Sequence, residues 1–365
     1  MAKIKDITGY LELTAPLPLQ EDYDNAGLLT GNENQEINGI LISLDVTEAV
    51  IDEAISLGFN LIISHHPIIF RGLKKITGSN YVERVIIKAI QNNIALYAIH
   101  TNLDNVKNGV NKKIADKLGL KDVRILKAKI SGLCKLVSFV PKDNVLEVLD
   151  AVHAAGAGVI GDYDHCSFRI QGTGRFKPNE SANPHIGKRN EFEEVNEERI
   201  ELIYPEHSAH NVIESLKAVH PYEEVAYYIH KLENKSEDVG SGMIGQFKNA
   251  LTVNDFLLTI KKTFNLEHFK YTPGKADKIL KVAVCGGAGS FLIKTAKKAG
   301  ADAFISADIK YHEYFDADGK ILVADIGHYE SEAFTKELVF ELLKKKFSNI
   351  ALQLSEVNTN PIRYI

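Results

Sequence analysis

The chain has 365 residues, 45% of them apolar and 25% charged, with a formal net charge of −5. That length exceeds one ordinary domain and can bury large cores, and the acidic balance argues against a dedicated nucleic-acid binder, which carries a basic excess. Three cysteines (Cys134, Cys166 and Cys285) without CxxC spacing exclude a disulfide framework and fit a reduced, cytoplasmic setting; the N-terminus lacks the apolar segment of a signal peptide, and no run approaches the ~18 apolar residues of a membrane span.

In chain order, residues 4–14 predict a short helix that stops before Pro16. "INGILISLDVT" (37–47) is an apolar, β-branched run and predicts a strand. "EAVIDEAISLG" (48–58) has helical periodicity and a glycine stop. "FNLIISHH" predicts the next strand, "NYVERVIIKAIQNN" (80–93) a helix, and "IALYAIHTNLD" (94–104) a strand running into a loop. "GVNKKIADKLG" (109–119) is helical. This alternation predicts a parallel or mixed sheet with helices on its faces.

The character changes over residues 131–235. "CKLVSFVP" predicts a strand, "KDNVLEVLDAVHAAG" a helix, and "CSFRIQGTGRFKP" a hairpin strand. The polar stretch 179–198 reads as hairpin or loop. "RIELIYP", a helix over "EHSAHNVIESLKAVH", and "EEVAYYIHKLE" complete a compact αβ unit, which reads as a domain inserted into a larger α/β domain. "ENKSEDVGSG" (233–242) fits an exit linker. From about residue 277 the earlier grammar returns. "KILKVAVCGGAGS" is a strand and a Gly-rich turn, "FLIKTAKKAG" a helix, "ADAFISAD" and "KILVADIGH" strands, "YESEAFTKELVFELLKKKF" a helix and "IALQLSEVN" a strand. The expected domains are a core lobe at 1–130, the insert at 131–235 and a second core lobe at 236–365.

Three places carry candidate chemistry. His65 and His66 follow one strand, "HTNLD" (100–104) follows another, and His328 and Glu332 sit four apart at a strand-to-helix junction, where a helix would put them on one face. Ligands of open α/β sheets collect beyond the carboxyl ends of strands, where all three places fall. Histidines and carboxylates without cysteine suit zinc, iron, manganese or cobalt, and hydrolysis. Neighbouring side chains of an extended chain diverge, so His65 and His66 can serve two metals, with a carboxylate bridging them. Two ions about 3.5–4 Å apart can polarise a substrate and activate water. Pro67 keeps His66 out of the α region.

Other features are weaker. "CGGAGS" (285–290) has the look of a phosphate cradle but lacks the Lys-Ser/Thr of a P-loop, so a tight turn is the expectation. Cys285, at an apolar strand end, is expected to be buried and inert. "HPYEE" (220–224) reads as a turn. His153, His165, His207, His210 and His230 have no partner spacing.

The motifs "YDNAGLLTG" (23–31), "LISLDVT" (41–47), "ISHHPIIF" (63–70), "AIHTNLDN" (98–105), "VAVCGGAGS" (282–290), "ADAFISADIKYHEY" (301–314) and "DIGHYESE" (325–332) together resemble the NIF3-like (DUF34) family, also known as GTP cyclohydrolase 1 type 2 homologues, in its long bacterial form. The resemblance covers nearly the whole chain and implies a two-lobed α/β core with an inserted PII/CutA1-like α+β domain. It implies two divalent ions per chain, zinc foremost, with iron or manganese as alternatives. Carried over by motif, His65 and Asp104 would serve one ion, His66 and His328 the other, and Glu332 would bridge. His100, Asp24 and Asn25 would support the site. The resemblance also implies a homohexameric toroid with its metal sites facing an internal chamber.

The functional expectation is a metal-dependent hydrolase, resembling one that converts GTP to dihydroneopterin triphosphate and formate through metal-activated water. No separate catalytic side chain stands out, although Glu332 is a candidate. The alternatives are a phosphoesterase using the same centre, or a non-enzymatic regulatory or scaffold protein that binds metal. A nucleotide or other small-molecule substrate is expected, with no membrane partner.

Overall fold

The apolar runs at 37–47, 60–66 and 94–100 condense into three short strands, β2 (Ile40–Ser43), β3 (Leu61–Ser64) and β4 (Ala95–Ala98), preceded by β1 (Gly27–Thr30). They belong to a computed structural model that describes residues 2–129, 132–234 and 238–363. Every residue of β2, β3 and β4 is buried, as expected of parallel strands covered on both faces. Alternate side chains serve the two faces. Leu41, Ile62 and Leu96 pack with Val50, Ile51, Val85 and Ile86 of the helices Glu48–Leu57 and Tyr81–Gln91. Ile40, Ile42, Ile63 and Tyr97 share the opposite core with Ile4, Ile7 and Leu11 of the helix Ile4–Thr14. Thr47 Oγ1 caps the first of these helices by accepting from Val50 N, and Gly58 ends it at φ 69°.

The remaining strands are β5 (Lys121–Ala128), β6 (Leu133–Pro141), β7 (Phe168–Phe176), β8 (Glu193–Pro205), β9 (Tyr227–Lys231), β10 (Gly240–Thr252), β11 (Lys270–Thr272), β12 (Lys278–Ala288), β13 (Ala303–Ala307), β14 (Leu322–Asp325) and β15 (Leu352–Leu354). They form three sheets, ordered β1-β4-β3-β2-β15, β11-β14-β13-β12-β10-β5 and β7-β8-β6-β9. The first two are mixed. β15, β2, β3 and β4 run parallel, as do β12, β13 and β14, while β1, β11, β10 and β5 are antiparallel to their neighbours. Each of these sheets takes one strand from the opposite end of the chain: β15 joins the N-terminal strands and β5 the C-terminal ones.

The chain divides into two compact units, residues 1–128 with 238–365, and residues 129–237. The second unit has the order β6, helix Val145–Ala154, β7, β8, helix Ala209–Val219, β9. This βαββαβ path makes an all-antiparallel sheet of ferredoxin-like topology. Among the described residues, no helix is long and apolar enough to cross a membrane.

Four local expectations change. The Gly-rich turn at 286–287 is part of β12, which continues to Ala288. The long helix after β14 is two helices, His328–Glu332 and Thr335–Lys346. The loop after β4 contains a short helix, Thr101–Asp104. The expected linker 233–242 ends inside β10, and its residues 235–237 lie outside the described residues. The sequence "GSG" suggests flexibility, but a Cβ on Gly240 would stand 2.3 Å from the Lys127 carbonyl oxygen. This glycine serves close strand approach instead.

Candidate metal centre

Parallel strands place their carboxyl ends at one edge, and the candidate residues leave from those ends. His65 and His66 follow β3, His100 follows β4, and His328 follows β14 after Gly327, which has φ 91°. His65 is 1% exposed. Its Nδ1 donates to the Ile99 carbonyl at 2.8 Å. A carbonyl can only accept, so that nitrogen carries the proton and Nε2 presents a lone pair in the neutral ring. Nε2 lies 3.8 Å from Asp104 Oδ1 and 3.7 Å from Glu332 Oε1. Both separations exceed hydrogen-bond range. His65 Nε2 and Asp104 Oδ1 are buried without any hydrogen-bond partner. Two ligands of one zinc ion, each about 2.1 Å from it, stand less than about 4.2 Å apart. An orphaned nitrogen facing two carboxylate oxygens therefore has the donor types and spacing of a metal site.

The second cluster adjoins the first. His66 Nδ1 donates to Asp45 Oδ1 at 2.7 Å, and its Nε2 lies 2.9 Å from Glu332 Oε2. His328 Nδ1 donates to Asp308 Oδ2 at 2.7 Å. His328 Nε2 is 3.1 Å from Glu332 Oε2 and 3.3 Å from His66 Nε2. With each Nδ1 protonated against a carboxylate, two neutral rings would oppose lone pairs at 3.3 Å, a repulsion that protonation or a bound cation relieves. Carboxylates or carbonyls fix the far nitrogen of all three rings, the usual support of metal-ligating histidines.

The electrostatics agree with this geometry. Burial disfavours charge on His66, yet Asp45 and Glu332 outweigh it and push its pKa up to about 10. His328 rises to about 9 against burial because of Glu332 and Asp308. Burial would raise Glu332, but His65, His328 and His66 hold its carboxyl well below the usual range. Burial pushes Asp104 up to about 7, although His65 works the other way. The carboxylates draw positive charge into this site, and protons and metal ions compete to supply it.

His100 lies beside both clusters, its ring 5.2 Å from His65 and 5.4 Å from His66. Its Nδ1 is 2.6 Å from Asp24 Oδ1, and burial together with the nearby histidines lowers its pKa. Asp24 falls to about 2 despite burial, because His100 and Thr101 donate to it. Asn25 stands apart from the ligand atoms. Its Nδ2 donates to the Ile69 carbonyl at 2.6 Å, tying down the segment after His66. Among the described residues, three groups bring their donor atoms within 4.8 Å of one another: His65, Asp104 and Glu332; His66, His328 and Glu332; and His65, His66 and His100.

The glycines of "CGGAGS" make room for Glu332. A Cβ on Gly287, which has φ +59°, would stand 2.3 Å from Glu332 Oε1. The N–H of Gly286 donates to Asn111 and that of Gly287 to Ser331, so neither is free for a phosphate. Cys285 is buried, and burial with the nearby Asp104 and Glu332 charges keeps it a thiol. Sequence reasoning passed over Asp45 and Asp308 as histidine partners. Both lie just past an apolar strand, in "LISLD" and "FISAD", the placement that singled out the histidines.

Fold and site together define a mixed α/β protein with a partly buried histidine–carboxylate cluster able to hold metal ions. The chain belongs to the Duf34/NIF3 (NGG1p interacting factor 3) family, which it matches over residues 2–361. It is 41% identical over 360 residues to a GTP cyclohydrolase 1 type 2 homolog of Halalkalibacterium halodurans, covering 97% of this chain and 96% of that one. A Bacillus subtilis protein of the same name is 38% identical over 367 residues, covering 99% and 98%. The crystal structure of a Bacillus cereus protein related to NIF3 superposes with a TM-score of 0.87 at 37% identity, covering 100% of this chain and 99% of that one.

Proposed function

We propose that the protein binds two divalent metal ions and uses them as a hydrolase acting on a nucleotide. His65, Asp104 and Glu332 Oε1 would hold one ion, and His66, His328 and Glu332 Oε2 the other. The observation that carries this reading is the division of Glu332, with one oxygen facing His65 and the other facing His66 and His328. Nitrogen and oxygen donors without thiolate fit zinc first, and iron or manganese also. A bound pair of ions would lower the pKa of water and polarise a substrate. The chain's own residues set the geometry: Ile99, Asp45 and Asp308 orient the imidazoles, and Asp24 holds His100 against the histidine pair.

The name shared by the bacterial relatives supports GTP as substrate. The products would be dihydroneopterin triphosphate and formate, with one water consumed. The same resemblance supports a homohexamer and a PII/CutA1-like insert, and the βαββαβ order of the second unit is compatible with the latter. One observation favours a second reading, a metal-binding regulatory or scaffold protein. Asp24, Asp45 and Asp308 around the cluster are each already bound to a histidine, which leaves none of the three free as a base.

Metal-loaded protein assayed against GTP, other nucleotides and model phosphodiesters, beside Glu332→Gln, decides between them. Turnover lost in the variant supports the hydrolase. Equal rates in both proteins, or no turnover of any compound, favour the second reading.

A further inference from the structure

Two exposed aromatic rings adjoin the metal centre. Tyr23 is 64% exposed and Phe70 46%. Their ring centroids lie 6.1 Å apart, with the planes tilted by 41°. Phe70 in turn sits 6.3 Å from His100 at a steep angle of 72°, and His100 stands against both His65 and His66. The rings therefore run in contact from solvent to the histidine pair. A single exposed aromatic side chain needs no explanation. Adjoining exposed rings that lead to a polar centre mark a binding surface.

Both rings sit on backbone stitched to that centre. The Glu21 N–H donates to Thr101 Oγ1 at 2.8 Å, and the Asp24 N–H closes a turn onto the Glu21 carbonyl at 2.9 Å. Asp24 accepts from His100 Nδ1 and from the Thr101 N–H, so the residues on either side of Tyr23 are fixed. Asn25 Nδ2 donates to the Ile69 carbonyl and fixes the residue before Phe70. Hydrogen bonds of their neighbours thus place the two rings, while much of their surface stays open to solvent.

Phe70 has no hydrogen-bonding side-chain group, so what it can recognise is a flat or apolar partner. Stacking on an aromatic side chain strengthens nucleobase binding by about five- to a hundredfold. It uses the π-face, which every purine has, and so favours a flat heterocycle without selecting its edge.

We propose that Tyr23 and Phe70 form a stacking subsite for the purine ring of the substrate, holding it beside His100 at the metal centre; this rests on the nucleotide reading above. The two are positioning residues and move no proton.

The test reads binding rather than turnover. 2-Aminopurine riboside 5′-triphosphate is the probe, because stacking on an aromatic ring quenches its fluorescence. Rapid mixing with the zinc-loaded full chain, with magnesium present for the phosphates, reads the quench before any reaction. The parent should show a saturable quench. Tyr23→Leu and Phe70→Leu should each weaken binding at least fivefold and reduce the quench. Tyr23→Phe keeps a ring and should match the parent. All three variants should keep the parent's zinc content and hydrodynamic size. Any one of four results overturns the proposal: no saturable quench in the parent, parent-like binding by either leucine variant, Tyr23→Phe binding as weakly as Tyr23→Leu, or weakened binding accompanied by loss of zinc or a change of size. The hydrolase reading fails separately. Ring-dependent quenching in a protein that turns over no nucleotide leaves the subsite standing. Turnover that Glu332→Gln abolishes, with binding indifferent to both rings, leaves the hydrolase standing without it.

Discussion

His65 and His66 are neighbours in the chain, yet their Nε2 atoms face different oxygens of one carboxylate. His65 Nε2 lies 3.7 Å from Glu332 Oε1, and His66 Nε2 lies 2.9 Å from Glu332 Oε2. Extended backbone sends successive side chains apart, and a carboxylate is the side chain that can meet both.

This relationship predicts the pattern of metal loss. The parent should hold about two ions per chain on the reading above. Glu332→Gln removes the charge shared by both clusters and leaves one good acceptor oxygen, so both occupancies should fall together. His65→Ala should mainly empty one site and His66→Ala the other. Elemental analysis with metal titration measures this. If Glu332→Gln loses a single ion while either histidine variant loses both, the bridging assignment is wrong.

Metal uptake should release protons. His66 and His328 have pKa values raised to about 10 and about 9, so both are charged at neutral pH and must lose a proton to ligate. Affinity should therefore rise with pH between about 6 and 9, by up to about a hundredfold per pH unit for two protons. Calorimetry in two buffers of different ionisation enthalpy counts the protons. In the chelated protein the linkage has the opposite direction. Stability from these raised groups is fully present below the unfolded histidine value of about 6.5 and is lost as pH rises through about 9–10. Melting curves of chelated protein should fall over that window, and a flat profile would contradict the charge state assigned here.

Gly287→Ala should damage the centre selectively. The new Cβ would meet Glu332 Oε1 at 2.3 Å, at a φ of +59°. The backbone penalty is about 1–2 kcal/mol, and displacement of Glu332 adds loss of metal. Gly58→Ala is the matched control, since φ is +69° there with nothing within 4 Å of the added atom. It should lose similar backbone stability but keep its metal. Equal metal content in the two variants would show that Gly287 is not shaping the site.

The insert should be removable. Ala128 of β5 pairs with Gly240 of β10, and the two strands are antiparallel neighbours. A short turn joining them would make an ordinary hairpin. Deleting about residues 131–235 in favour of such a turn should leave a folded protein that still binds metal. Circular dichroism and metal analysis check this, and a truncated chain that neither folds nor binds metal would show that the insert supports the core.

Much of the local structure was legible because it depends on short-range rules. Gly58 ends a helix because glycine takes a positive φ freely, whereas the caps Thr47 and Asn80, whose side chains accept from the first turn, emerged only in the structure. The pair His328–Glu332 was legible because residues four apart on a helix share a face. β5 escaped notice because its apolar residues alternate with charged ones at the edge of a sheet. Gly286 and Gly287 read as a turn because their partner, the Glu332 carboxylate, lies 45 residues further along.

The sequence by itself determined which side chains stand at strand ends, since apolar runs and their glycine and polar stops are local signals. It also supplied the family resemblance that assigned them roles. Only the tertiary structure decided that His66 and Glu332, 266 residues apart, stand 2.9 Å from each other. It also decided that Asp45 and Asp308 orient the histidines, and that β5 and β15 cross to opposite sheets. Those outcomes depend on strand pairing and packing between distant segments. Periodicity within a segment carries no information about which distant segment it will meet.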